Sequence, residues 1–99
     1  MSAERWERLA AALAAAGVPA TVTARAYTQV EYGHIVHGVS RSIWLGQGEG
    51  LVVIRDQHGR GGKWYGYAVT ITEGDHDRDL CRSTRRSEIV AAVLEAVSR

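Results

Sequence analysis

Residues 42–72 read SIWLGQGEGLVVIRDQHGRGGKWYGYAVTIT, and this stretch decides the fold. Two glycine-rich segments, GQGEG (46–50) and HGRGG (58–62), cut it into three runs. Each run is rich in β-branched and aromatic residues, so three strands are expected. Leu51–Gln57 (LVVIRDQ) opens apolar on both faces, which suits a central strand. Lys63–Thr72 (KWYGYAVTIT) is the longest strand expected. Short connections between successive strands favour an antiparallel meander.

Side chains alternate along a strand, so the runs also assign faces. In the last run Tyr65, Tyr67, Val69 and Ile71 share one side, taken as the core side. Trp64, Gly66, Ala68, Thr70 and Thr72 share the other. With Ile43 and Leu45 inward, Trp44 points outward, and Val52 and Ile54 are placed beside it. Trp44, Val52, Ile54 and Trp64 then form an apolar outer face, the expected site for a protein partner or a second copy. The competing expectation is that one or both tryptophans tuck under a loop and complete the core.

Upstream, Trp6, Leu9, Ala10 and Leu13 fall at i, i+3, i+4 and i+7, one stripe of a helix. Ser2 is placed to cap it, and Gly17 followed by Pro19 ends it, so a helix is expected over Ala3–Ala16. Glu4 and Arg8 form an i,i+4 pair in the favourable order. Thr21–Tyr27 alternates as a strand, with a turn near Glu31–Gly33. His34–Arg41 and Ser42–Gln47 are two strands, or one strand bulged at Gly38. Downstream, Glu73–Asp79 (EGDHDRD) reads as an acidic loop, and Leu80 and Cys81 return to the core. Ile89, Val90, Val93, Leu94 and Val97 give a second helical stripe. That helix is expected over Arg85–Val97, with Thr84 as N-cap.

These elements predict one domain spanning residues 1–99. Its fold class is an α+β two-layer sandwich: an antiparallel sheet of four to five strands with both helices on one face. Composition agrees, with 45% hydrophobic and 23% charged residues. The net charge of +1 creates no global field toward nucleic acid or an anionic membrane. A single cysteine, Cys81, excludes an intrachain disulfide and fits a reducing cytoplasm. No segment suits a membrane span. Arginine dominates lysine, and Ala, Gly and Val are abundant, a composition expected of a GC-rich bacterial genome.

Chemistry-bearing patterns are sparse. Arg60 and Lys63 sit in a glycine turn beside two aromatics, a pairing suited to nucleic acid. The alternative is a solvated hairpin tip. The Gly-Lys there lacks the spacing and hydroxyl of a phosphate loop. Arg82, Arg85 and Arg86 lie at the start of the second helix, where cations oppose the macrodipole. Either an anion is bound there, or Asp75, Asp77 and Asp79 neutralise them. Those aspartates open like a calcium loop, but Leu80 and Arg86 occupy positions that need Gly and Glu. His34 and His37 point to opposite sides of a strand, so no shared metal is expected. Cys81 has no local support as a nucleophile.

The leading expectation is a non-enzymatic protein–protein interaction module, homodimeric through the outer sheet face. No cofactor or metal is expected. The alternative is a nucleic-acid-binding module using Arg60, Lys63, Arg82, Arg85 and Arg86. A third is an enzyme or ligand binder with a pocket lined by Tyr65 and Tyr67.

Overall fold

The computed structural model describes residues 2–59 and 63–98. Seven elements follow in order: α1 (Ser2–Ala15), β1 (Val22–Glu31), β2 (His34–Leu45), β3 (Val52–His58), β4 (Trp64–Glu73), β5 (His76–Ser83) and α2 (Arg86–Val97). The strands form one antiparallel meander in sequence order. Both helices cover one face of it, as the two-layer α+β reading predicts.

The α1 stripe is the one the spacing indicates: Trp6, Leu9 and Leu13 are fully buried. The helix closes with two bonds, Val18 N–H to Leu13 C=O at 2.8 Å and Gly17 N–H to Ala14 C=O at 3.0 Å. This double closure satisfies the last carbonyls, and Pro19 then prevents continuation. On α2, Ile89 and Val93 are fully buried, while Val97 is largely exposed. Its start is not capped by Thr84. Instead the Ser83 hydroxyl accepts from the Arg85 N–H (3.0 Å) and donates to Glu88 (2.6 Å). Those helix residues pack on Ile43, Val52, Ile54, Tyr67 and Val69 of the sheet.

Three sequence expectations are corrected. First, β5 replaces most of the acidic loop: His76–Ser83 pairs with β4 along its length. It is an edge strand, and edge strands carry charge as protection against further pairing. A bulge at Leu80, between Asp79 and Cys81, puts Leu80 and Cys81 both against the core. Second, Gly38 is not a bulge. It pairs regularly with Tyr27, whose ring lies so close that a Cβ at position 38 would sit 2.5 Å from it. Residues 34–45 are therefore one strand. Third, the bulge lies in β4. His58 pairs with Trp64 but Gln57 with Gly66, so Tyr65 is an extra residue. That shifts Trp64 onto the Tyr67 side, under the helices, and turns Tyr65 outward.

β2 pairs with β1 over ten residues, Val22–Glu31, but with β3 only from Ser42 to Leu45. Beyond Arg41 the first hairpin projects as a two-stranded arm of about 26 Å at ~3.3 Å per residue. Its tip is a two-residue turn with Tyr32 at φ 49° and Gly33 at φ 80°. Positive φ at both positions gives the turn whose twist matches a hairpin.

Candidate functional site

The core ends at one edge in a polar knot. Asp56 follows Val52 and Ile54 on the helix-covered side of β3, where an apolar residue is expected. Its Oδ1 accepts from two indoles, Trp6 Nε1 at 3.0 Å and Trp64 Nε1 at 2.8 Å. An indole only donates and a carboxylate only accepts, so one oxygen satisfies both rings. Tyr67 stands between them edge-on, with ring centroids 5.2 Å from Trp6 and 5.2 Å from Trp64. Its hydroxyl donates to the Arg5 carbonyl at 3.3 Å. The Arg5 guanidinium lies 3.7 Å from the Trp64 ring centroid, a stacked cation–π contact.

Burial pushes the Tyr67 phenol above its ordinary pKa, and Asp56 adds to the rise; Arg5 and Arg86 act against it. The folded chain thus holds this proton more tightly than the unfolded chain. The resulting stability is fully present below the unfolded value of 10.0 and is lost as pH rises toward the folded one. Urea unfolding of the wild type is therefore expected to show stability falling with pH above about 10. The fall is expected to shrink in Tyr67→Phe.

Among the described residues no helix covers the opposite face of the sheet. Trp44 projects there, 51% exposed. Its Nε1 donates to Ser42 Oγ at 2.9 Å, and Arg55 lies 5.6 Å from its ring. Across from Trp44, Val53 is only 3% exposed. Val52, Ile54 and Trp64, expected to join Trp44 on this face, do not. Val52 and Ile54 are fully buried beneath the helices, because Leu45 pairs with Val52 and Ile43 with Ile54. Trp64 packs against the same core. Of those four residues the outer face keeps Trp44 alone.

The basic residues are divided. Arg82 lies on the helix-free face and pairs with Asp79 at 2.8 Å. Asp77 instead accepts from Thr72 Oγ1 at 2.9 Å, and Asp75 pairs with His76 at 2.9 Å. So the aspartates neutralise Arg82 but leave Arg85 and Arg86, at the start of α2, without a carboxylate partner among the described residues. Lys63 is exposed, its Nζ 5.9 Å from the Tyr65 ring. Arg60 lies outside the described residues. A pocket shared by Tyr65 and Tyr67 does not form: Tyr65 is 57% exposed on the outer side and Tyr67 is buried on the inner one.

Among the described residues no group of three His, Cys, Asp or Glu is gathered for a metal. His37 Nδ1 instead lies 3.0 Å from the Thr28 hydroxyl. Cys81 is half-buried, and burial first, then Glu88, pushes its thiol up, which disfavours the reactive thiolate. Among the described residues no helix is long and apolar enough to cross a membrane.

The arm was missed as a site in the sequence. On the side continuous with the core face it carries Ala24, Ala26, Val30, Ile35 and Val39, interrupted by Thr28, His37 and, at its base, Arg41. Val30 is 72% and Ile35 67% exposed, and they face each other across the ladder. Tyr32, at the tip, is 85% exposed. The opposite side is mostly polar, with Thr23, Arg25, Gln29 and Ser40 around Tyr27.

No known protein family, characterised protein or solved structure matches this chain.

Proposed function

We propose that this chain is a non-enzymatic protein–protein interaction module that pairs with a second copy of itself through the β1–β2 arm. The observation that carries the reading is the exposed Val30, Ile35 and Val39 on the arm's core-side face, set among Thr28, His37 and Arg41, with no described helix above them. A two-stranded ribbon is marginal alone in water and needs a further layer. An antiparallel face-to-face stack of two arms would supply that layer, in a two-fold arrangement where each copy offers the same surface.

Areas support this occupant. The chain exposes 6605 Å², whereas a compact monomer of its mass exposes about 5,500 Å². Its radius of gyration of 14.1 Å exceeds the ~12.6 Å of a compact chain of this length. The excess surface, about 1,100 Å², is more than the ~800 Å² each partner contributes to an ordinary stable interface.

Sedimentation velocity and light scattering test the reading. The wild type is expected to be a dimer at micromolar concentration. Ile35→Glu places a charge in the arm's ladder and is expected to give a folded monomer, with association weakened by at least about tenfold for a desolvated charge. Trp44→Ala, off the arm, is expected to leave the dimer intact. A wild type that stays monomeric at high concentration rejects the proposal, and dissociation by Trp44→Ala instead moves the interface to the central sheet.

A further inference from the structure

Where β4 begins, the first turns of α1 and α2 meet over the Trp64 and Tyr67 rings. Between them is a cleft of about 250 Å³. Arg5 and Arg8 reach it from α1, Arg86 and Thr84 from the α2 side, and the two rings form its floor. The three guanidiniums thus come from two separate helices, brought together only by the fold.

They are poorly neutralised. Glu4 also lines the cleft, 3.9 Å from Arg8, with both side chains more than 60% exposed. Such a pair contributes little. Among the described residues neither Arg5 nor Arg86 has a carboxylate within 4.0 Å. Both charges nevertheless reach the same phenol, Tyr67. Gathering like charges around one cleft costs stability, and so does placing Arg86 on the first turn of α2. A local departure of this kind, without internal compensation, points to function.

Arg5 is also held in place. Its guanidinium lies over Trp64 at 3.7 Å, and Trp64 is fixed by its bond to Asp56. A guanidinium seated on a ring keeps the N–H groups along its edge free to grip an oxyanion in two places. With Asp56 held on the Trp64 indole outside the lining, the three arginines against one glutamate that line the cleft leave it a surplus of two positive charges. That matches a phosphate monoester, which carries about −1.5 to −2 near neutral pH. The volume falls below the ~300 Å³ at which pockets take drug-sized ligands, so one phosphorylated unit fills it.

We propose that this cleft binds a phosphate monoester, borne either by a small phosphorylated molecule or by the 5′ end of a nucleic acid strand. Arg5, Arg8 and Arg86 grip the phosphate, and the Thr84 hydroxyl is available as a further donor. The inference is independent of the arm, so the monomeric Ile35→Glu protein is expected to bind as the wild type does.

The full chain is titrated at low ionic strength with inorganic phosphate, a 5′-mononucleotide, a 5′-phosphorylated single strand and its 5′-hydroxyl twin. Tryptophan fluorescence and thermal shift are the readouts. Saturable binding of phosphate and the mononucleotide is expected. Arg5→Gln and Arg86→Gln are each expected to weaken it about tenfold or more, the loss of a charged hydrogen bond. Arg25→Gln, on the arm, is expected to change nothing. Should Arg5→Gln fail to fold, the exposed Arg86 still supplies the test. A phosphorylated strand that binds much more tightly than the mononucleotide assigns a nucleic-acid end; equal binding assigns a small molecule. Either upholds the site. Absence of saturation, equal weakening by Arg25→Gln, or equal binding of the 5′-hydroxyl strand overturns it.

Discussion

Asp56→Ala is expected to lower the free energy of unfolding by about 3 kcal/mol in urea titration. The reason is that one carboxylate oxygen serves two donors, Trp6 Nε1 and Trp64 Nε1. Removing it leaves both indole N–H groups in a half-buried site without an acceptor. Each stranded donor costs about 1–3 kcal/mol, and partial access to water holds both toward the lower end. Asp56→Asn separates this account from a general charge effect. Its carbonyl oxygen still accepts from both rings, so most of the stability is expected to return. If Asn and Ala variants unfold alike, the two indole bonds are not what Asp56 contributes. For a chain whose total stability is about 5–15 kcal/mol, the alanine loss is a fifth or more of the whole.

Gly66→Ala is expected to cost about 3 kcal/mol or more, seen as a fall in melting temperature of about 15 °C. Two causes act together. The Gly66 φ of 128° lies where residues with a Cβ are strained. A Cβ there would also stand 2.7 Å from the Ser83 carbonyl oxygen. That oxygen is backbone, in the last pair of the β4–β5 ladder, so it yields only if Tyr67↔Ser83 breaks. The bulge that seats Trp64 under the helices opens with it. Loss of the Trp64 contribution to tryptophan fluorescence is therefore expected alongside the destabilisation. An alanine variant as stable as the wild type would show that β4 tolerates a different register.

Gly66 and Gly38 also mark where sequence reading succeeds and fails. Glycine within a strand signals a bulge or a close approach, and each of the two does one of these things. The expectation put the bulge at Gly38, but Gly38 makes room for the Tyr27 ring. The bulge belongs to Gly66, and strict alternation across it inverts Trp64 and Tyr65. Nothing in a period-two pattern reveals a one-residue insertion when both neighbours are aromatic. On β3, Val52, Val53 and Ile54 are all apolar and all buried, so the inward pair was undecidable until Ile43↔Ile54 fixed the register. The helices were legible because their stripes of Trp6, Leu9, Leu13, Ile89 and Val93 have no competing period. β5 was hidden by its charge, since DHDRD resembles a loop unless the edge-strand habit is weighed. Asp56 did leave a signal. It stands two residues beyond Ile54 on a strand with an apolar face, and an acid there demands donors. The arm left none, because β1 and β2 look like any other pair of strands.

The early end of the β2–β3 ladder at Ser42↔Arg55 has a further consequence, in hydrogen exchange. One continuous strand, His34–Leu45, belongs to two cooperative units. Ser42 and Ile43 are clamped between β1 and β3, Trp44 and Leu45 pair with β3, and amides in this segment are expected to exchange only with global unfolding. Residues 34–41 have β1 alone, and in the monomeric Ile35→Glu protein they are expected to exchange by fraying of the arm. Protection should fall by orders of magnitude within a few residues of Arg41, with no break in the strand to mark the place.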